Sequence, residues 1–201
     1  MGENFLIILS GPSGAGKTTL IRGLFKAQGI RENFRRIKTY TTRSPRSPRE
    51  EDYIFVKRNE FLALKNKGFF LESQNIYGDY YGTPKEDLER ALRKNNVILC
   101  VDVKGALYLK KLYKRKAVLI FIMPPKFEDI IFRIKRRGRE KPQQFKLRVK
   151  RAKKEVETSK KFDYIIINHK LGEALRDIKT VLFSQLKRSE YVLRAFRRNF
   201  R

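Results

Sequence analysis

Long apolar runs are the first thing this sequence lacks. Its uninterrupted apolar stretches, at 5–9, 97–101, 118–123 and 164–167, fall far short of the ~20 residues that a membrane-spanning helix needs. Cysteine is nearly absent too. With Cys100 alone, an internal disulfide or a multi-cysteine metal site is excluded, and Cys100 reads as a small core residue. There is one histidine, His169, with nothing near it in sequence to make it a catalytic base or a ligand; it reads as a surface loop residue. No basic region leads into a long apolar stretch and a small-residue cleavage site at the N-terminus, so no signal peptide is expected. These absences suit a cytoplasmic setting. Acidic residues are scarce: 21 Asp and Glu face 48 Lys and Arg, a net charge of +27. Such a surplus attracts polyanions, whether nucleotides, nucleic acid or anionic surfaces, or it lies on solvated lysine-rich faces; net charge does not choose.

What is present supports one folded domain. The chain has 201 residues and is 41% hydrophobic, enough for a core of its own. Residues 4–10 read as a short buried strand, followed by a glycine-rich turn and a helix over 18–28 with Leu20, Ile21, Leu24 and Phe25 at helical spacing. Apolar strands at 97–101, 118–122 and 164–167 show no alternation, the mark of a parallel sheet covered on both faces. Helical stretches near 84–95, 104–114, 126–137, 142–160 and 172–188 separate them. The alternation predicts an α/β three-layer sandwich with a parallel sheet. Two segments break the pattern and read as insertions into a core of about 1–34, 85–123 and 156–201. Residues of about 35–84 are polar and aromatic with short β-like pieces, as in a substrate-binding subdomain. The other, about 124–155, is dense in Arg and Lys, as in a lid. The nine Tyr and fifteen Phe read mostly as core. The basic run 186–201 reads as an amphipathic helix.

Gly11-Pro12-Ser13-Gly14-Ala15-Gly16-Lys17-Thr18 matches G-x-x-x-x-G-K-[ST] at every fixed position, between a strand and a helix. Glycines let the backbone curl so that its N–H groups point at phosphate oxygens, and the helix adds its positive N-terminal end. Lys17 reaches β- and γ-phosphates, and Thr18 offers a hydroxyl to Mg²⁺. This identifies a nucleotide site of the P-loop type without choosing between kinase, GTPase and motor. The residues after the first helix narrow the choice. Arg43 and Arg46 on a turn-like segment, with Tyr53 and Tyr81, carry the donors that surround a phosphate dianion. Glu72 with the Thr83 hydroxyl suits a guanine edge, whose N1–H and N2–H₂ are donors and whose O6 is an acceptor. Asp102 stands at the C-terminal end of a strand, where ligands of open α/β sheets bind, and where a helix N-cap is an equally ordinary role.

The chain resembles the guanylate kinase family from residue 5 to about 184. The phosphate loop reads Ser-Gly-Pro-Ser-Gly-Ala-Gly-Lys-Thr-Thr. Thr-Thr-Arg-x-Pro-Arg stands at 41–46, Asp-Tyr-x-Phe-Val at 52–56, and the spacing from Glu72 leads to Tyr81 and Thr83. The resemblance implies a P-loop kinase fold and transfer of phosphate from ATP to GMP, and to dGMP, in purine nucleotide metabolism. It implies that ATP is held by the loop residues 11–18, Thr19 and Asn168, with Mg²⁺ as cofactor. GMP would be held by Thr39, Arg43, Arg46, Tyr53, Glu72, Tyr81, Thr83 and Asp102. Arg133, Arg137 and Arg148 match the family's lid arginines and, with Lys17 and Arg43, would offset the repulsion between two phosphates. The sequence departs from the family pattern in a loop between Arg46 and Tyr53 about two residues short, where Glu50 or Glu51 replaces the usual acid. It departs also in Thr39 and Thr83 for serine, Cys100 for aspartate and Lys104 for glutamine. Two other classes remain to weigh: a guanylate-kinase-like protein-binding module, which the intact Lys17 and Thr18 disfavour, and a basic protein that binds nucleic acid unspecifically.

Overall fold

The structure, a computed structural model, describes residues 4–136, 142–188 and 192. Strand β1 (Leu6–Ser10) runs through the glycine-rich loop into α1 (Lys17–Leu24), and a one-turn helix α2 (Ile30–Asn33) precedes β2 (Phe34–Ile37). Then come β3 (Tyr40–Thr41), β4 (Ile54–Phe55), α3 (Arg58–Asn66), β5 (Phe70–Ile76) and β6 (Asp79–Pro84). After α4 (Lys85–Lys94) follow β7 (Asn96–Cys100), α5 (Val103–Tyr113), β8 (Ala117–Met123), α6 (Phe127–Arg136), α7 (Pro142–Thr158), β9 (Tyr164–Ile167) and α8 (Leu171–Leu186).

Five strands form a parallel sheet in the order β2-β7-β1-β8-β9. Its central strands are apolar throughout because both faces are covered. Ile7 and Leu9 of β1 pack with Leu20 and Leu24 of α1 and Ile178 and Leu182 of α8. Leu6 and Ile8 face the other way, onto Leu88 of α4 and Ala106 and Leu109 of α5. Each such side chain removed from water contributes about 1.5–3 kcal/mol, so the layers on either side fix the sheet and, with it, the loop after β1.

Strand β2 departs from the sequence reading, which assigned these residues to the start of the insertion. Phe34-Arg35-Arg36-Ile37 pairs in parallel with β7 at the sheet edge. Only Phe34 is buried there, so the strand carries two arginines and lacks the unbroken apolar signature of its neighbours. The first helix is also shorter than expected. It ends at Leu24, and Gly29 at φ 80° starts the separate turn α2.

A second, four-stranded sheet in the order β4-β3-β6-β5 forms the polar and aromatic insertion. Its small core is aromatic: Phe61 of α3 stacks on Phe70 with centroids 4.4 Å apart and on Tyr80 at 5.4 Å. The β5–β6 hairpin turns on Tyr77 and Gly78, both at positive φ (57° and 93°), the conformation that a tight two-residue hairpin turn requires. Helices α6 and α7 share a separate apolar cluster of Ile130, Ile134 and Ala152, with Phe127, Phe145 and Val156 beside it.

Candidate active site

The glycine-rich loop sits between β1 and α1, at the C-terminal edge of the parallel sheet. Two of its glycines have no substitute on steric grounds. Gly11, at φ 138°, would place a Cβ 2.2 Å from the Ile122 carbonyl oxygen, and Gly16, at φ 91°, would place one 2.3 Å from Asn168 Nδ2. Asn168 is buried. Its Nδ2 donates to the Ala15 carbonyl at 2.8 Å and its backbone N–H to the Met123 carbonyl at 2.7 Å. It therefore stands behind the loop and braces it, and is not among the residues lining the cleft in front. Lys17 Nζ donates to the carbonyls of Gly11 (2.6 Å) and Pro12 (2.9 Å), which holds the ammonium across the loop mouth. Thr18 and Thr19 line the cleft beside it. Arg133 of α6 donates through Nη1 to the Gly14 carbonyl at 3.2 Å.

Opposite the loop, the insertion supplies a wall of charged and aromatic side chains. Arg43 forks onto Glu50, with Nη2 2.7 Å from Oε1 and Nη1 3.3 Å from Oε2, and its guanidinium lies 5.4 Å from the Tyr53 ring centre. Glu50 also accepts the Arg46 N–H at 2.6 Å. Burial on its own would raise the Glu50 carboxyl, but the bonds from Arg43 and Arg46 outweigh it and hold it below its ordinary value. Of the two acids considered from sequence for the shortened loop, Glu50 is the buried one; Glu51 is exposed. The Arg43 Nε is buried without a hydrogen-bond partner among the described residues. The Arg46 side chain is on the exposed part of the loop and reaches the cleft rim. Tyr53 meets Tyr81 edge to face, ring centres 5.9 Å apart, and burial pushes its phenol up. Next to Tyr53, Asp52 is buried and accepts from Arg22 of α1 and from Arg36 of β2, Nη2 at 3.0 Å. Burial would raise that carboxyl, yet the two guanidiniums hold it low. This ion triad ties the insertion to the core.

Glu72 and Thr83 are cross-strand partners on β5 and β6, and Thr83 Oγ1 donates to Glu72 Oε1 at 2.6 Å. Burial raises the Glu72 carboxyl to about 7, Thr83 pulls it back, and the charge of Asp102 pushes it up again. Asp102 fills both roles the sequence left open. Its Oδ1 caps α5 by accepting the Gly105 N–H at 2.9 Å, and its Oδ2 faces the cleft and accepts from Arg151 Nη2 at 2.7 Å. Thr39 is buried at the cleft floor.

Many of these groups surround one cleft of about 230 Å³; Thr83, which is fully buried, and Arg133 are not among its lining residues. Lys17, Arg43, Glu72, Tyr81, Asp102 and Arg148 all line it, so the phosphate loop and the insertion face a common space. Arg137 lies outside the described residues, as does most of the basic run 186–201. Sequence reasoning missed several lining residues, among them Tyr77, Asp79, Arg151 and Glu155. Burial raises the Asp79 carboxyl although Arg43 and Arg148 pull it down. The available signal was the spacing of Arg148, Arg151 and Glu155, which places them on one face of a helix; the basic character of the segment masked it. His169 is exposed, as expected. Cys100 is partly buried at the end of β7, where burial pushes its thiol up.

In chemical terms the cleft sets a backbone phosphate cradle and a lysine against arginines and tyrosines that suit a second phosphate, with an acid–hydroxyl pair to one side. Known proteins resemble this chain over most of its length. The family model described as guanylate kinase matches residues 3–185. A guanylate kinase of Wolbachia sp. subsp. Brugia malayi is 35% identical over 192 residues, 93% of this chain and 96% of that protein. One from Clostridium perfringens is 38% identical over 183 residues, covering 90% and 83%. The crystal structure of guanylate kinase from Anaplasma phagocytophilum superposes with a TM-score of 0.74 at 28% identity, covering 92% of this chain and 88% of that one.

Proposed function

Since the chain belongs to the guanylate kinase family, and as such is a kinase that phosphorylates GMP to GDP with ATP, we propose that its cleft divides into a donor half built on the phosphate loop and an acceptor half built on the insertion. On the donor side the loop N–H groups of residues 11–18 and the Lys17 ammonium bind the β- and γ-phosphates, with Thr19 beside them. Asn168 serves by holding the loop in shape. The Thr18 hydroxyl fits Mg²⁺, an ion that takes one or two protein oxygens and completes its shell from phosphates and water. When bound, the ion supplies neutralisation of charge across the two transferring phosphates.

On the acceptor side Arg43, Arg46, Tyr53 and Tyr81 hold the GMP phosphate, since guanidiniums pair with phosphate bidentately and phenols donate singly. Ionised Glu72 accepts from guanine N1–H and N2–H₂, and Thr83 turns to O6. Thr39 and Asp102 border the base. The acceptor is already an anion, so a strong general base is not needed; the task is to bring two phosphates together. Arg133, Arg137 and Arg148 on the lid add positive charge at that point and, by covering the cleft, keep out water that would hydrolyse ATP. Core, insertion and lid act as the three moving parts of one domain, working in the cytoplasm where both nucleotides are at hand.

The observation that carries this reading is the meeting of Lys17 and Glu72 on a single cleft, with the buried Thr83 bonded to Glu72 behind its lining. ADP release measured with ATP and GMP, dGMP, AMP, CMP or UMP tests it. GMP and dGMP are expected to support turnover, and AMP to be at least ~100-fold poorer in kcat/KM, because a buried carboxylate rejects a purine that lacks the paired donors. AMP turned over as well as GMP would overturn the assignment of Glu72.

A further inference from the structure

Arg151 joins three parts of the molecule through one side chain. It belongs to α7. Its Nη2 donates to Asp102 Oδ2 at the end of β7 (2.7 Å), its Nε donates to Glu155 Oε1 one turn along α7 (2.8 Å), and its guanidinium lies 5.4 Å from the ring centre of Tyr77 at the tip of the β5–β6 hairpin. Core, lid and insertion thus converge on a single planar cation. The two acids are largely shielded, at 11% and 13% side-chain exposure for Asp102 and Glu155, so these are not freely solvated surface pairs of the kind that contribute little. Arg148 sits one turn before Arg151 on the same face of α7 and places its guanidinium over the same Tyr77 ring, at 4.8 Å. The hairpin turn that projects Tyr77 is held in place by Gly78 N–H donating to Asn75 Oδ1 at 3.0 Å.

We propose that Arg151 is a positioning residue that clamps the lid onto the acceptor half of the cleft, so that α7 presents Arg148 at the point of transfer. The inference rests on the reading of the cleft given above and goes beyond it in naming the device that couples the lid to the acceptor side. Helices α6 and α7 pack on each other through their own apolar cluster, and Arg151 bonds α7 to Asp102, two residues past β7. A lysine in its place keeps a charge for Asp102 but has no planar fork to span two carboxylates and lie against a ring.

Steady-state kinetics on the full chain test the clamp. Wild-type GDP formation, measured first, tests the reading of the cleft; its failure overturns both proposals. Given that activity, Arg151→Ala is expected to lower kcat about tenfold or more and to raise KM for GMP, because it removes an interaction made on closure. ATP affinity measured without GMP should change less than ~3-fold, the phosphate loop being untouched. Arg151→Lys should recover part of kcat. Arg148→Ala and Arg151→Ala should be strongly non-additive, as residues acting through one another are. A kcat and GMP KM for Arg151→Ala within about twofold of wild type would overturn the clamp, as would equal loss of ATP and GMP affinity with kcat intact. Should Arg151→Ala fail to fold, Tyr77→Leu removes the shared ring without stranding a charge. Its kcat should fall about 3-fold with an unchanged melting temperature, and no fall would be decisive against the proposal.

Discussion

The half of the cleft that we assign to the donor is made largely of backbone and the half that we assign to the acceptor of side chains, and the two should behave differently as a result. The phosphate loop is eight consecutive residues, shaped by Gly11 and Gly16 and braced from behind by Ile122 and Asn168. Its positive character comes from N–H groups and a helix end, which carry no proton to lose. The acceptor half draws Thr39, Arg43, Glu72, Tyr81 and Asp102 from separate strands and loops, and several of its groups have shifted proton affinities. One half is a contiguous stretch of chain braced from behind, with a positive character that comes largely from backbone; the other is assembled from scattered side chains and held by charge.

The sharpest way to break this contrast is at Lys17, where the donor half depends on a side chain. Lys17→Ala is expected to cut turnover by roughly 10³-fold with either GMP or dGMP, since positioned charge at the transferring phosphates is among the largest catalytic terms. A loss under tenfold in a rapid-quench assay would shift the weight of catalysis to the arginines.

Next in size is Glu72→Gln, which should lower kcat/KM for GMP by about 10²-fold while leaving ATP binding, followed calorimetrically, near wild type. The pH dependence gives the sign. With its carboxyl near 7, Glu72 in the free protein is largely protonated below that pH and cannot accept two donors. KM for GMP should therefore fall as pH rises through about 7, and ATP affinity should not follow it. Stability should move the other way. The folded carboxyl titrates near 7 against an ordinary value of 4.5, so from 4.5 upward the unfolded chain ionises first and folding weakens, by an amount on the order of 3 kcal/mol above pH 7. Glu72→Gln should accordingly melt higher than wild type at pH 8 and near it at pH 4.5. Equal melting shifts at both pH values would mean that Glu72 is not strained in its place.

The smallest expected effect concerns the attachment of the acceptor half. Asp52→Asn leaves Arg22 and Arg36 facing a buried site with no anion. Breaking such a pair costs about 3–5 kcal/mol when both partners are buried. Arg22 is half exposed, so about 2 kcal/mol is expected in urea unfolding. High salt should shrink the difference. A loss confined to stability, with GMP kinetics intact, would show that the insertion stays in register without this tie.

How far the sequence could be read follows the same division. The parallel sheet was legible at β1, β7 and β8, which are covered on both faces and apolar almost throughout, and at β9, which is apolar although Tyr164, Ile165 and Ile167 are exposed at the sheet edge. It was not legible at β2, an edge strand whose Arg35 and Arg36 hid it. The phosphate loop was legible because its spacing is contiguous. Glu72 and Thr83 were found through the family's spacing, and the antiparallel register of β5 and β6 supplies the physical reason for it: the two residues are directly opposite one another. Arg151 was missed because its partner Asp102 is 49 residues away and because, in a segment crowded with cations, one more arginine carries no signal. The position of Asn168 behind the loop was equally hidden, since nothing in residues 164–169 shows which way a side chain faces.

That brace has a consequence for how the protein comes into being. Asn168 bonds the Ala15 carbonyl across 153 positions, and the wall behind Gly11 is the carbonyl of Ile122. Synthesis makes the nucleotide motif before β8 and β9, so the wall behind Gly11 comes only with β8 and the Asn168 brace only after β9. Fragments ending before that point would carry the full signature and lack the rigid cradle. Competence to grip a triphosphate should thus wait for Asn168, 153 positions beyond Ala15.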